Sequence, residues 1–167
     1  MSEARINFIK QQGFGDATAG TCDFQYPALM FQPRVIGGLV LAGVLFQAAP
    51  LFLILSAVLW WNALIPDLNP FDALYNRLVA ARRHTPPLTA APRPRRFAQA
   101  LAATFMLLIG VSLLAGWNML AWVLEAILIV ALGALIFGNF CLGSYLFHLL
   151  TGNREFARRT LPRVRGG

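Results

Sequence analysis

The chain of 167 residues is 57% hydrophobic and only 13% charged, too apolar for a soluble domain of this size to cover itself with polar surface. Fourteen Lys and Arg outnumber seven Asp and Glu, but they sit at the margins of apolar runs, which points to anionic lipids as partners and away from nucleic acid. Cys22 and Cys141 are too few for a disulfide framework and match no zinc spacing, so no metal site is expected.

Residues 1–33 hold no signal-peptide core, Met1 to Pro27 being polar almost throughout, so the chain is expected to enter the membrane uncleaved. They read as a cytoplasmic arm whose aromatics (Phe8, Phe14, Phe24, Tyr26 and Phe31) have little core of their own to join. Two apolar runs follow, read as spans over 34–48 and 50–65, separated at Pro50. Each supplies roughly 13 to 15 apolar residues where about 20 are needed to cross the hydrocarbon. Two short spans are preferred to a re-entrant hairpin.

Asn69 followed by Pro70 signals a helix start. Phe71, Leu74, Tyr75, Leu78 and Val79 then repeat at the spacing of one helical face. With Asp72 in the first turn and Arg82 and Arg83 in the last, residues 70–83 are predicted to form an amphipathic helix in the headgroup plane. A proline-rich linker, 84–96, leads to a third span over 97–116. The fourth, 119–150, would be about 48 Å long as one helix, so a bend is expected at Gly138 and Asn139. A basic tail, 151–167, closes the chain. The predicted fold is an all-α membrane protein of four transmembrane helices in two hairpins, with one interfacial helix. All fourteen Lys and Arg then fall on one side or at its boundary, away from the turns at Ala48–Pro50 and Gly116–Asn118, which places both termini on the cytoplasmic side of the membrane. Trp60 and Trp61 at one interface and Trp117 and Trp122 at the other fit the same frame.

Three short stretches carry a family resemblance: Pro33-Arg34, Arg96-Phe97-Ala98-Gln99, and FCLGSY from Phe140 to Tyr145. In their order and spacing, from about Phe31 to Leu150, they resemble a bacterial membrane-domain family known as a domain of unknown function, DUF4395. The resemblance implies a compact four-helix unit of the bacterial cytoplasmic (inner) membrane with no established activity. The chain departs from the family pattern at Gln32, where members usually carry an acidic residue or asparagine. It departs again at Ser144, where they tend to carry a second cysteine.

Few side chains offer chemistry. Cys141 is the redox candidate, because a Cys-x-x-Cys pair can cycle between thiol and disulfide. Ser144 leaves that motif without a resolving thiol, and the competing reading is a small buried residue beside Gly143 where helices approach closely. His148, with Gly143 and Ser144 a turn away, is the candidate ligand for a haem or pigment. Its position at a headgroup end favours a hydrated tip instead, and no cofactor is expected. Glu125 is the one acid inside a span; no second ionisable group extends it into a proton path, and Gln47 and Asn118 at the same level are its expected partners. Arg34, Arg93, Arg95 and Arg96 are expected to reach lipid headgroups.

No phosphate-binding loop, metalloprotease signature or nucleophile elbow is present. The expected function is a non-catalytic accessory subunit packed against other integral membrane subunits. On frequency grounds the complex is energy-transducing, respiratory or photosynthetic. The alternative is a small membrane thiol-redox protein acting through Cys141.

Overall fold

In the computed structural model, residues 3–15 and 19–160 are described, with the side chains of 19–22 excepted. All their regular structure is helical. A first helix, α1 (Glu3–Gln11), precedes α2 (Ala19–Phe46), which starts well inside the segment read as a polar arm and runs through both Pro27 and Pro33. An interior proline removes one hydrogen bond and crowds the preceding turn. Surrounding helices can re-satisfy the freed groups, and here α1 and three later helices pack on α2. The arm's aromatics are correspondingly not free: Phe8 is buried with Ile9, Leu29, Met30 and Cys141, its ring edge-on to Tyr26, while Phe31 packs on Tyr75.

Gln47, at φ 46°, turns the chain into α3 (Ala49–Leu64), with Pro50 in its first turn. At 16 residues α3 is about 24 Å long, short of the roughly 30 Å of a hydrocarbon core. The four predicted spans are therefore corrected to three helices long and apolar enough to cross a membrane: Asp23–Phe46, Arg93–Leu114 and Asn118–Ile136.

The amphipathic segment folds over the predicted residues. After a 3₁₀ turn (Pro66–Leu68), Asn69 Oδ1 accepts from the Phe71 and Asp72 amides and opens α4 (Pro70–Tyr75). The chain continues through a π-turn (Asn76–Ala80) into α5 (Ala81–Arg83). The linker is shorter and better anchored than its prolines implied. The Asn76 side chain brackets Leu88, accepting from its N–H at 2.8 Å and donating to its carbonyl at 3.2 Å. Helix α6 (Arg93–Leu114) then begins within the predicted linker.

Helix α7 (Asn118–Ile136) stops where a single long span was predicted to continue. Asn139 adopts φ 52°, and a Cβ at Gly138 would lie 2.6 Å from the Ala134 carbonyl oxygen, so only glycine fits. A separate α8 (Leu142–Leu150) follows, then α9 (Arg154–Arg159). The predicted bend is thus a complete break, and the 119–150 span is corrected to two helices.

Contacts fix the directions. Arg96 reaches Ala63, Ser56 donates to the Ala103 carbonyl, and Gly110 abuts Leu53, so α3 and α6 are antiparallel. Gln47 meets Glu125 and Gly37 meets Ile136, so α2 and α7 are antiparallel as well. Between them lies the main core, with Val40, Phe52, Ala103, Met106 and Ile109 essentially inaccessible.

A cavity with a polar end

Arg95 lies in the first turn of α6, where the helix enters the bundle, and its guanidinium points into protein rather than outward. Nη1 and Nη2 donate to the two Asp72 oxygens at 2.9 and 2.7 Å, the paired geometry that makes Arg–carboxylate contacts strong. Nη2 also donates to Gln32 Oε1 at 3.0 Å, and Asn69 Nδ2 donates to Asp72. Arg95 is 4% exposed and Asp72 7%. Its predicted headgroup role is therefore corrected. Arg96, half-buried, donates to the Ala63 carbonyl near the C-terminus of α3, where helix carbonyls lack intrahelical partners. Arg34 and Arg93 remain exposed.

The network fixes the orientation of its amides. Arginine can only donate, so Gln32 must present its oxygen to Arg95. Gln99 donates to that same oxygen through Nε2 at 3.0 Å, which leaves Gln99 Oε1 buried with no partner. These side chains form the polar end of a cavity of about 160 Å³. Apart from Gln12, its remaining walls are apolar, with Ile36, Leu59, Ala102, Phe105 and Leu128 among them. From Arg95 to Phe105 the wall extends about 15 Å along α6. The three stretches that carry the family resemblance converge here: Pro33, Ala98 with Gln99, and Cys141 to Gly143 all line it.

Cys141 precedes α8. It is buried and free, and its backbone N–H donates to Gln11 Oε1 at 2.9 Å. Two residues on, Gly143 sits so close to α6 that a Cβ would lie 2.8 Å from Ala98 Cα. The side chain of Cys22 lies outside the described residues. His148 is 8% exposed, which corrects the predicted hydrated tip. Its Nε2 lies 3.1 Å from the Gln11 carbonyl oxygen, which can only accept, so that nitrogen carries the proton. The ring packs on Phe156 at 4.7 Å.

At the opposite end of the bundle, Glu125 is buried and accepts from Gln47 Nε2 at 3.2 and 3.3 Å. Asn118, the other predicted partner, is exposed and makes no bond to it. Among the described residues no three His, Cys, Asp or Glu side chains are grouped to hold a metal ion.

Sequence reasoning missed Asp72, Gln32, Gln99 and Gln11. Asp72 was legible only as a helix-dipole acid, and Gln11 as part of a polar arm. The available signal was that Gln32 and Gln99 lie at or beside two of the three recurring stretches.

Among the described residues, fold and site together define an all-helical type of chain, with three helices long and apolar enough to cross a membrane and a mostly apolar cavity. The chain belongs to the family described as Domain of unknown function (DUF4395), whose model matches residues 27–151. No curated protein and no solved structure matches it.

Proposed function

We propose that the protein is a non-catalytic integral membrane subunit, held with both termini in the cytoplasm and packed against other subunits of a larger, energy-transducing assembly. The observation that carries this reading is that the reactive candidates are engaged within the chain. Arg95 is held by Asp72 and Gln32, Glu125 by Gln47, and His148 by the Gln11 carbonyl. Cys141 is 6% exposed and has no second thiol in its motif. A side chain so committed is poorly placed to exchange protons or electrons with a substrate.

The outer surface supports a packing role. Helix α7 is the most outward-facing of the three long helices, with 17% of its most apolar window buried, against 39% for α2 and 33% for α6. Met119, Trp122, Val123 and Val130 project from it. Apolar faces of this kind are covered in a membrane by lipid or by the helices of neighbours.

The test is mild solubilisation followed by a native gel and identification of comigrating chains. The protein is expected to migrate with a larger complex. Migration only at its own mass overturns the subunit reading. Cys141→Ser is expected to leave assembly and function intact; normal assembly with lost function would transfer the case to the thiol-redox alternative.

A further inference from the structure

The cavity described above holds one feature that packing does not account for. Gln99 is 7% exposed, and its Oε1 has no hydrogen-bond partner although its Nε2 is committed to Gln32. Flipping the amide offers no relief, because Arg95 holds Gln32 with its oxygen forward and two oxygens would then face each other. The unpaired atom must therefore be an acceptor, and what it lacks is a donor. A buried acceptor left in this state is destabilising, and such groups in native structures call for an explanation.

Gln99 also forms part of the wall of the cavity, whose other walls are almost wholly apolar. Small-molecule sites have this character: a mainly apolar pocket with a few convergent polar groups that fix orientation. In size it is comparable to apolar cavities of about 150 Å³ that admit benzene. Neighbouring charge does not call for an anion, since Arg95 is already neutralised by Asp72.

We propose that this cavity binds a small apolar molecule carrying a hydroxyl group, with its body among Ile36, Ala102, Phe105 and Leu128 and its hydroxyl donating to Gln99 Oε1 after a small shift of the amide. An aromatic hydroxyl and an aliphatic alcohol share this chemistry, and the probes below separate them. The site stands independently of whether the chain assembles with other subunits.

The test uses the full chain purified in detergent and fluorine NMR titration, corrected for partition into protein-free micelles. The probes are 4-fluorophenol, 6-fluorohexan-1-ol and fluorobenzene. At least one hydroxyl probe is expected to bind about tenfold more tightly than fluorobenzene, the scale of one buried hydrogen bond; the tighter of the two identifies ring or chain. Gln99→Leu should bring the hydroxyl probes level with fluorobenzene. Ala102→Phe, which fills the cavity, should abolish binding of all three. Equal affinity of the probes for the unaltered chain overturns the proposal without recourse to any variant. So does a hydroxyl preference that survives Gln99→Leu, binding that survives Ala102→Phe, or no binding at all.

Discussion

Arg95 and Asp72 face each other across 23 positions of sequence, and their pairing decides how the amphipathic helix is fastened to the bundle. Two opposite charges buried together need full hydrogen bonding to offset their lost hydration, and here Gln32 and Asn69 complete the set. Arg95→Leu leaves the Asp72 carboxylate buried with only the Asn69 side-chain amide donating to it, so a loss of about 3–5 kcal/mol is expected in thermal unfolding of the detergent-solubilised protein. The double variant Arg95→Leu with Asp72→Leu should recover much of that loss, because no charge is then stranded. A single variant within about 1 kcal/mol of the parent would mean the pair is solvated. Spacing alone could not announce this contact. In a basic chain every arginine beside an apolar run reads as a headgroup anchor, and only the fold shows which one turns inward. Arg34 and Arg93 stay exposed, while Arg95, between Arg93 and Arg96 in the same helical turn, does not.

Elements were legible where a local signal specified them and obscured where tertiary packing overrode it. The Asn69-Pro70 cap and the apolar face after it gave the helix over 70–83, because capping and periodicity are short-range properties. The start of the first span was placed too late for a comparable reason: the cost of Pro27 and Pro33 is local, whereas the packing of α1, α3, α4 and α7 on α2 joins segments that sequence does not bring together. The break after Ile136 was half legible, since Gly138 and Asn139 marked the place but not the change of direction. Small residues show the same division. Gly38 and Gly143 look equivalent in sequence, yet a Cβ on Gly38 meets nothing within 4 Å and one on Gly143 collides with the α6 backbone at 2.8 Å. Gly38→Ala is accordingly expected to stabilise by up to about 1 kcal/mol through helix propensity. Gly143→Ala should destabilise by about 1–3 kcal/mol, because the collision is with backbone and α8 must move away from α6. Both are read from unfolding midpoints in one detergent. Equal responses would show that α8 does not pack as described.

At the scale of the molecule, one end of the bundle carries the charge and the other carries almost none. The Gln47 turn and the α6–α7 turn at Gly116 hold no Lys or Arg, while the opposite end gathers the Arg95 network, α5 and α9. All four tryptophans are exposed, Trp60 and Trp61 near the charged end of α3 and Trp117 and Trp122 near the uncharged turn. Amphipathic rings at two levels and cations at one are what a bilayer with a positive inner loop bias selects. The short helix α3 fits this arrangement because it packs most extensively along α6, and a span of about 24 Å can be accommodated by local thinning and by its flanking tryptophans. The expected topology has Gly116 outside and Arg82 inside. Single cysteines at Asn118 and Arg82, in a background with Cys22→Ser and Cys141→Ser, provide the check with a membrane-impermeant maleimide on intact cells. Asn118→Cys should be labelled directly, and Arg82→Cys only after the membrane is opened. The opposite pattern would invert the chain, place thirteen arginines and one lysine on the outer side, and remove the electrostatic basis for its orientation. Direct labelling at both positions would mean that α6 does not cross, leaving its apolar outer face to be covered by partner protein rather than lipid.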